Sequence, residues 1–191
     1  MPQGDKGSSG RGPTVIGLTG TPGTGKKTIA PLLARRLKVT AVSVDELASS
    51  RGLVRAGELD TKALSRVISG LIHERCVLYG HLLAEVLPPA TAERVVVLRC
   101  DPAKLKLRLE ERGYTRNKVM ANVEAELIGL VASSAIQAFG PKKSFEFDTT
   151  NGDPGDHASK IARSLAKKGS FRIDWLEKYS SPNRLSRLLG T

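Results

Sequence analysis

The run Gly20-Thr21-Pro22-Gly23-Thr24-Gly25-Lys26-Lys27-Thr28 carries the chemistry most plainly written in this chain. It matches G-x-x-x-x-G-K, a loop whose backbone N–H groups converge on phosphate oxygens while the lysine reaches the outer phosphates. Gly23, Thr24, Gly25, Lys26, Lys27 and Thr28 are therefore the expected nucleotide-binding residues. The residue after Lys26 is Lys27 where a magnesium-ligating Ser or Thr is common, which leaves the Thr28 hydroxyl as the expected metal contact. No N-K-x-D element follows, which lowers GTP as the ligand.

The loop works only if a strand and a helix hold it. Thr14–Thr19 reads as a short buried strand, and Ile29, Leu32, Leu33 and Leu37 recur at helical spacing behind the lysine. Pro31 lies inside that helix and is expected to bend it. Val39–Val44 reads as a second strand, with Asp45 placed to cap a short helix, and Thr61–Ile72 as a further helix. Cys76–Tyr79 is a short strand. Arg94–Arg99 is a continuous β-branched run of the kind found in buried parallel strands. Asp101-Pro102 opens the next helix, Lys118–Ala138 reads as one long helix, and Phe145–Thr149 as the last strand. Strands alternating with helices predict an α/β fold: a parallel sheet with helices on both faces.

These motifs, taken in order, resemble a known family. GTPGTGKKT, Val95-Val96-Val97-Leu98-Arg99-Cys100-Asp101, Leu109-Glu110-Glu111-Arg112-Gly113-Tyr114 and Asn122-Val123-Glu124-Ala125-Glu126 match the ribosome-assembly P-loop kinases. That family comprises archaeal adenylate kinase-like proteins and the eukaryotic adenylate kinase isoenzyme six, the coilin-interacting nuclear ATPase. The resemblance spans roughly residues 14–165 and implies a three-layer P-loop NTPase fold. It further implies a kinase domain over 14–168 with a short nucleoside-monophosphate-binding region near 43–66 and a lid near 111–121. Residues 1–13 then form a flexible N-terminal tail, and 169–191 a basic C-terminal extension.

The resemblance also implies roles. Lys26 and Arg112 would act on the transferring phosphate, Arg112 from the lid; from the residues alone, Arg112 reads first as a cation at a helix C-terminus. Arg116 is a weaker lid candidate. Asp45, Arg51 and Arg55 would hold the monophosphate, although the two arginines also read as a solvated basic loop. Asp60 is either a helix cap or a ligand contact. His81 matches the family's histidine beyond the third strand and would be catalytic. Relatives carry an acid two places before that histidine, and here Tyr79 stands there. That departure puts direct carboxylate handling of a metal in question, with Glu85 and Asp45 as the substitutes in reach.

Composition bounds the rest. Of 191 residues, 40 % are hydrophobic, enough for a core, whereas 4 % aromatic argues against binding single strands chiefly by base stacking. The net charge of +11 is uneven: residues 1–38 carry +6, 39–159 carry −1 and 160–191 carry +6. No apolar run reaches the ~18–20 residues of a membrane span, the start lacks a signal-peptide apolar region, and Cys76 and Cys100 read as reduced core thiols. A cytoplasmic monomer is expected, with ATP, Mg²⁺ and AMP as ligands. The resemblance adds a platform protein of the small ribosomal subunit as partner, and rRNA through the basic ends. The other expected reading is an assembly factor that uses ATP as a conformational clamp, with little kinase turnover.

Overall fold

The computed structural model describes residues 14–55, 58–166 and 172–190. The expected tail 1–13, the side chain of Arg55 and the first part of the C-terminal extension, 167–171, lie outside the described residues. The elements are β1 (Val15–Gly20), α1 (Lys26–Leu37), β2 (Thr40–Ser43), α2 (Val44–Ser50), the hairpin β3 (Val54–Arg55) and β4 (Glu58–Leu59), and α3 (Thr61–Leu71). There follow β5 (Cys76–Tyr79), α4 (Leu83–Val86), β6 (Ala92–Arg99), α5 (Pro102–Glu110), α6 (Arg116–Leu127) and α7 (Leu130–Phe139). The chain ends with β7 (Ser144–Asp148), α8 (Pro154–Ser164), α9 (Trp175–Lys178) and α10 (Pro182–Leu189).

Five parallel strands lie in the order β2-β5-β1-β6-β7. Successive side chains of a strand point to opposite faces, and the burial follows that alternation. Val15, Cys76, Leu78, Val95 and Val97 enter a core with α2, α3, α4 and α7. Ile16, Leu18, Val77, Tyr79, Val96 and Leu98 enter a second core with α1 and α8. The three layers of the α/β P-loop fold are thus present. The strand order reverses at β1, so the crevice beyond its carboxyl end is the place for a ligand. Both cysteines are buried and free, and burial pushes the Cys100 thiol up to about 11.

Local signals explain most boundaries. Asp101 accepts from the N–H groups of Ala103 and Lys104 at 2.9 and 3.4 Å with Pro102 at the first turn, and Asp153 with Pro154 repeats the device for α8. Asp60 accepts from Ala63 N at 2.8 Å, so it is a helix cap. Ser43, one residue before α2, takes the cap expected of Asp45, which lies instead in the first turn. Pro31 sits within α1, on an exposed position.

The single helix expected over 118–138 is two, bent by 52° at Gly129. Gly129 is left-handed (φ +67°), and a Cβ there would meet the Arg99 guanidinium at 3.4 Å. That guanidinium donates through Nη2 to the Glu126 carbonyl at 2.9 Å. A buried arginine thereby takes a carbonyl in the last turn of α6, where the helix dipole favours a cation.

The C-terminal residues are part of the body. Trp175 and Leu188 join Cys100, Leu105, Leu109 and Val123 in a third core. Lys178 pairs with Asp101, and Tyr179 donates to the same carboxylate at 2.7 Å. Burial pushes the Asp101 carboxyl up, but these two partners outweigh it and hold it below the usual range. Residues 172–190 therefore pack on the body. Among the described residues no single helix is long and apolar enough to cross a membrane.

Candidate active site

Where β1 ends, the backbone closes into the phosphate loop. Gly20 (φ +145°) allows it, because a Cβ there would fall 2.4 Å from the Leu98 carbonyl oxygen of β6. Thr24 Oγ1 donates to Thr21 O at 2.9 Å, and Thr149 Oγ1 lies 2.8 Å from Thr24 O, which ties the loop to the end of β7. Gly25 stands before α1, with no side-chain cap and no acid in the first turn. The helix N-terminus is thus left open to an anion.

Lys26 folds back over this loop: Nζ lies 2.5 Å from Gly20 O and 3.1 Å from Thr21 O. Burial lowers its pKa to about 8; Asp45 and Glu126 work against that shift, while Arg112 and Lys27 add to it. His81 Nδ1 stands 3.7 Å from Asp45 Oδ1. Burial lowers the histidine's pKa as well, with Asp45 opposing and Lys26 reinforcing. Lys26, Asp45 and His81, drawn from three separate segments, therefore form one electrostatic group.

On its other flank the loop opens into a cavity of about 160 Å³, lined by Thr28, Arg108, Arg112, Thr149, Gly152 and His157 among others. Arg112 and Thr28 both line this cavity, and both are exposed. Arg108 was not anticipated. Its Nη2 donates to the carbonyls of Thr149 and Thr150 at 2.9 and 3.0 Å, so it holds the loop that walls the cavity. His157, buried, has Nε2 2.9 Å from Asn151 O in the same loop. Neither has a local signature, since each acts through a residue remote in sequence or a loop carbonyl.

The remaining candidates are spread out. Arg51 is exposed at the C-terminal end of α2. Arg55 belongs to the hairpin, its side chain outside the described residues. Arg116 turns from the loop, its guanidinium 3.7 Å from where a Cβ on Gly190 would lie. The expected lid over 111–121 consists of the connection 111–115 and the first turns of α6. Tyr79, at the carboxyl end of β5, is nearly buried against the α1 and α8 face.

For a metal, the donor set offers the Asp45 carboxylate, 47 % exposed beside His81, and the exposed Thr28 hydroxyl. Mg²⁺ keeps several waters and takes one or two carboxylates plus phosphate oxygens. One carboxylate reachable by water beside the lysine fits that habit.

A glycine loop at the carboxyl end of the central strand, a lysine folded into it and an arginine beside the cavity define a P-loop phosphotransferase. A family model described as "AAA domain" matches residues 16–129. A protein of Thermococcus onnurineus named "Putative adenylate kinase" is 35 % identical over 173 residues, covering 86 % of this chain and 93 % of the relative. A Pyrococcus abyssi protein of the same name is 36 % identical over 184 residues, covering 92 % and 99 %. The chain belongs to this archaeal adenylate kinase-like family of P-loop proteins. Among solved structures, shikimate kinases of Bacteroides thetaiotaomicron (TM-score 0.57, 18 % identical, 80 % and 98 % covered) and Acinetobacter baumannii (0.60, 16 %, 80 % and 93 %) share the fold.

Proposed function

We propose that this protein is an adenylate kinase that transfers the γ-phosphate of ATP to AMP. The observation that carries the reading is Lys26, lodged in the glycine loop with Asp45 and His81 on one side and Arg112 and Thr28 lining the cavity on the other. Phosphoryl transfer asks mainly for positioning and for cations where charge spreads over the transferring group. The loop amides and Lys26 hold the outer phosphates, and Arg112 covers them from the short lid. Arg51 and Arg55 serve the AMP phosphate. His81, kept neutral at pH 7 by its lowered pKa, accepts or donates a hydrogen bond at the transferring end, oriented by Asp45. Asp45 and Thr28 are the residues that would face a Mg²⁺ bound with the nucleotide, and that ion would supply neutralisation of the phosphate charge.

Tyr79 favours a second reading, in which ATP acts as a clamp and turnover is slight, because the acid that the resemblance implies is missing from the strand end. A small-subunit ribosomal protein and rRNA are the partners that go with it, and the cytoplasm is the expected compartment.

One assay separates the two. The protein is mixed with ATP and Mg²⁺, with and without AMP, and ADP and free phosphate are followed separately. ADP formed only with AMP, and without free phosphate, supports the kinase. Phosphate release indifferent to AMP overturns the kinase, and MgATP binding with negligible ADP formation, with or without AMP, favours the clamp.

A further inference from the structure

Three ionic side chains are buried together just behind the phosphate loop. Arg99, at the end of β6, is 3 % exposed, Glu126 1 % and Glu146 6 %. Arg99 Nε donates to Glu126 Oε1 at 2.8 Å, and its Nη1 pairs with Glu146 Oε2. Glu126 then accepts from three further donors. These are the Cys100 N–H at 3.0 Å, the Trp175 indole N–H at 3.3 Å and the Thr21 hydroxyl, 2.5 Å from Oε2. The Arg99, Cys100 and Trp175 donors converge on Oε1, while Oε2 takes the Thr21 hydroxyl. The last of these partners belongs to the phosphate loop. The Thr21 carbonyl accepts from Lys26 Nζ and from Thr24 Oγ1, so the position of Thr21 sets the resting place of the essential ammonium.

The same cluster receives residues 172–190. Besides Trp175, Ile173 N donates to Glu146 Oε2 at 3.2 Å, and Ile173 O accepts from Arg99 Nη1 at 3.2 Å. Burying three charges is expensive, and well-packed apolar side chains of similar volume are commonly as stable or more so. Stability alone therefore does not account for the cluster. What an apolar replacement would lose is direction: a fixed acceptor for the Thr21 hydroxyl, in a core that otherwise could not orient it.

We propose that Glu126 is a positioning residue of the phosphate loop, and that docking of the C-terminal segment on its carboxylate, through the Trp175 indole, tunes the loop's affinity for nucleotide. Glu126 touches no substrate; it acts through Thr21. The inference rests on the phosphate-loop reading of Gly20–Thr28. Removal of the Thr21 hydroxyl releases one end of the bridge, and removal of the indole N–H loosens the other while the aromatic packing stays. Glu126 also faces Lys26 electrostatically and opposes the burial shift. Asp45 does the same from α2, while Arg112 and Lys27 press the other way.

The test is a double-mutant cycle on the full chain with Thr21→Val and Trp175→Phe, alongside Glu126→Gln. It is read as the dissociation constant of MgATP by calorimetry well below the melting temperature. The expected result is about tenfold weaker binding for Thr21→Val and Glu126→Gln, hydrogen bonds to charged groups being among the stronger ones. Trp175→Phe weakens binding about threefold, and the Thr21→Val/Trp175→Phe double variant binds no more weakly than Thr21→Val alone. Melting temperatures that fall while MgATP affinity stays within twofold overturn the proposal, as do losses that simply multiply in the double variant. Should Glu126→Gln fail to fold, the other two variants carry the test, each deleting a single donor. Lys26→Ala is the control for the site: if it binds MgATP as the parent does, the phosphate-loop reading fails, whatever the cycle shows.

Discussion

Lys26 Nζ lies 2.5 Å from the carbonyl oxygen of Gly20, so before any phosphate arrives the ammonium is held by the loop it belongs to. On the proposed reading, phosphate oxygens would take the place of these carbonyl partners. Lys26→Ala removes the cation together with its contacts to the Gly20 and Thr21 carbonyls. It should weaken MgATP binding by about 10- to 100-fold and abolish turnover. Calorimetry with a circular-dichroism control reads both.

The lowered pKa of Lys26 gives binding and stability opposite pH dependences. With the lysine near 8 in the folded protein, the charged form that meets phosphate is lost above that pH, and MgATP binding should weaken about tenfold per unit from ~8 upward. Stability runs the other way. The unfolded chain holds the proton up to about 10.5, so between ~8 and ~10.5 it binds more protons than the folded one, and this group's contribution rises with pH. Lys26→Ala should flatten both profiles, as binding titrations and chemical denaturation from pH 7 to 10.5 would show.

Arg112 is exposed at the cavity and is asked to act on charge that develops during transfer. Arg112→Ala should lower kcat by about 100-fold while KM changes by a few-fold at most. A change confined to KM would make it a ground-state contact only.

Tyr79, at the position where the resemblance implies an acid, stands in an apolar setting. Tyr79→Asp should cost about 2–4 kcal/mol of stability, since a packed ring is replaced by a carboxyl facing hydrocarbon. Because that carboxyl faces the α1 and α8 core and not the phosphate loop, the Mg²⁺ concentration needed for half-maximal turnover should stay unchanged. Denaturation curves and a magnesium titration of the initial rate check the two outcomes.

Leu105 and Leu109 of α5 are fully buried directly beneath Gly23, where an added Cβ would meet them at 2.7 and 3.0 Å. Leu109→Ala should destabilise the protein by about 2–5 kcal/mol. By removing the floor of the loop it should also weaken MgATP binding, which urea denaturation and calorimetry would register separately.

What could be read along the chain is what depends on near neighbours. The glycine loop, the β-branched run of β6 and the Asp-Pro opening of α5 are local patterns, and local sterics and hydrogen bonds suffice to produce them. The parallel sheet follows from their alternation. The break at Gly129 escaped such reading because its cause is Arg99, thirty residues earlier, whose guanidinium takes a carbonyl of α6. Arg108 and His157 reach the cavity wall through carbonyls of the 149–151 loop, and no spacing announces that. Glu126 stood in a recognisable motif, yet its partner Thr21 is 105 positions away.

The charge shows the same division. The sequence alone establishes a neutral body between two ends of +6, and it assigns Lys26 to phosphate. Only the folded chain spends Lys178 on Asp101 and carries Trp175 to Glu126, making much of the basic end a wall of the body. Local chemistry depends on which residues adjoin. Burial, and with it the shifted lysine and the shared carboxylate, depends on which distant segments exclude water from one another.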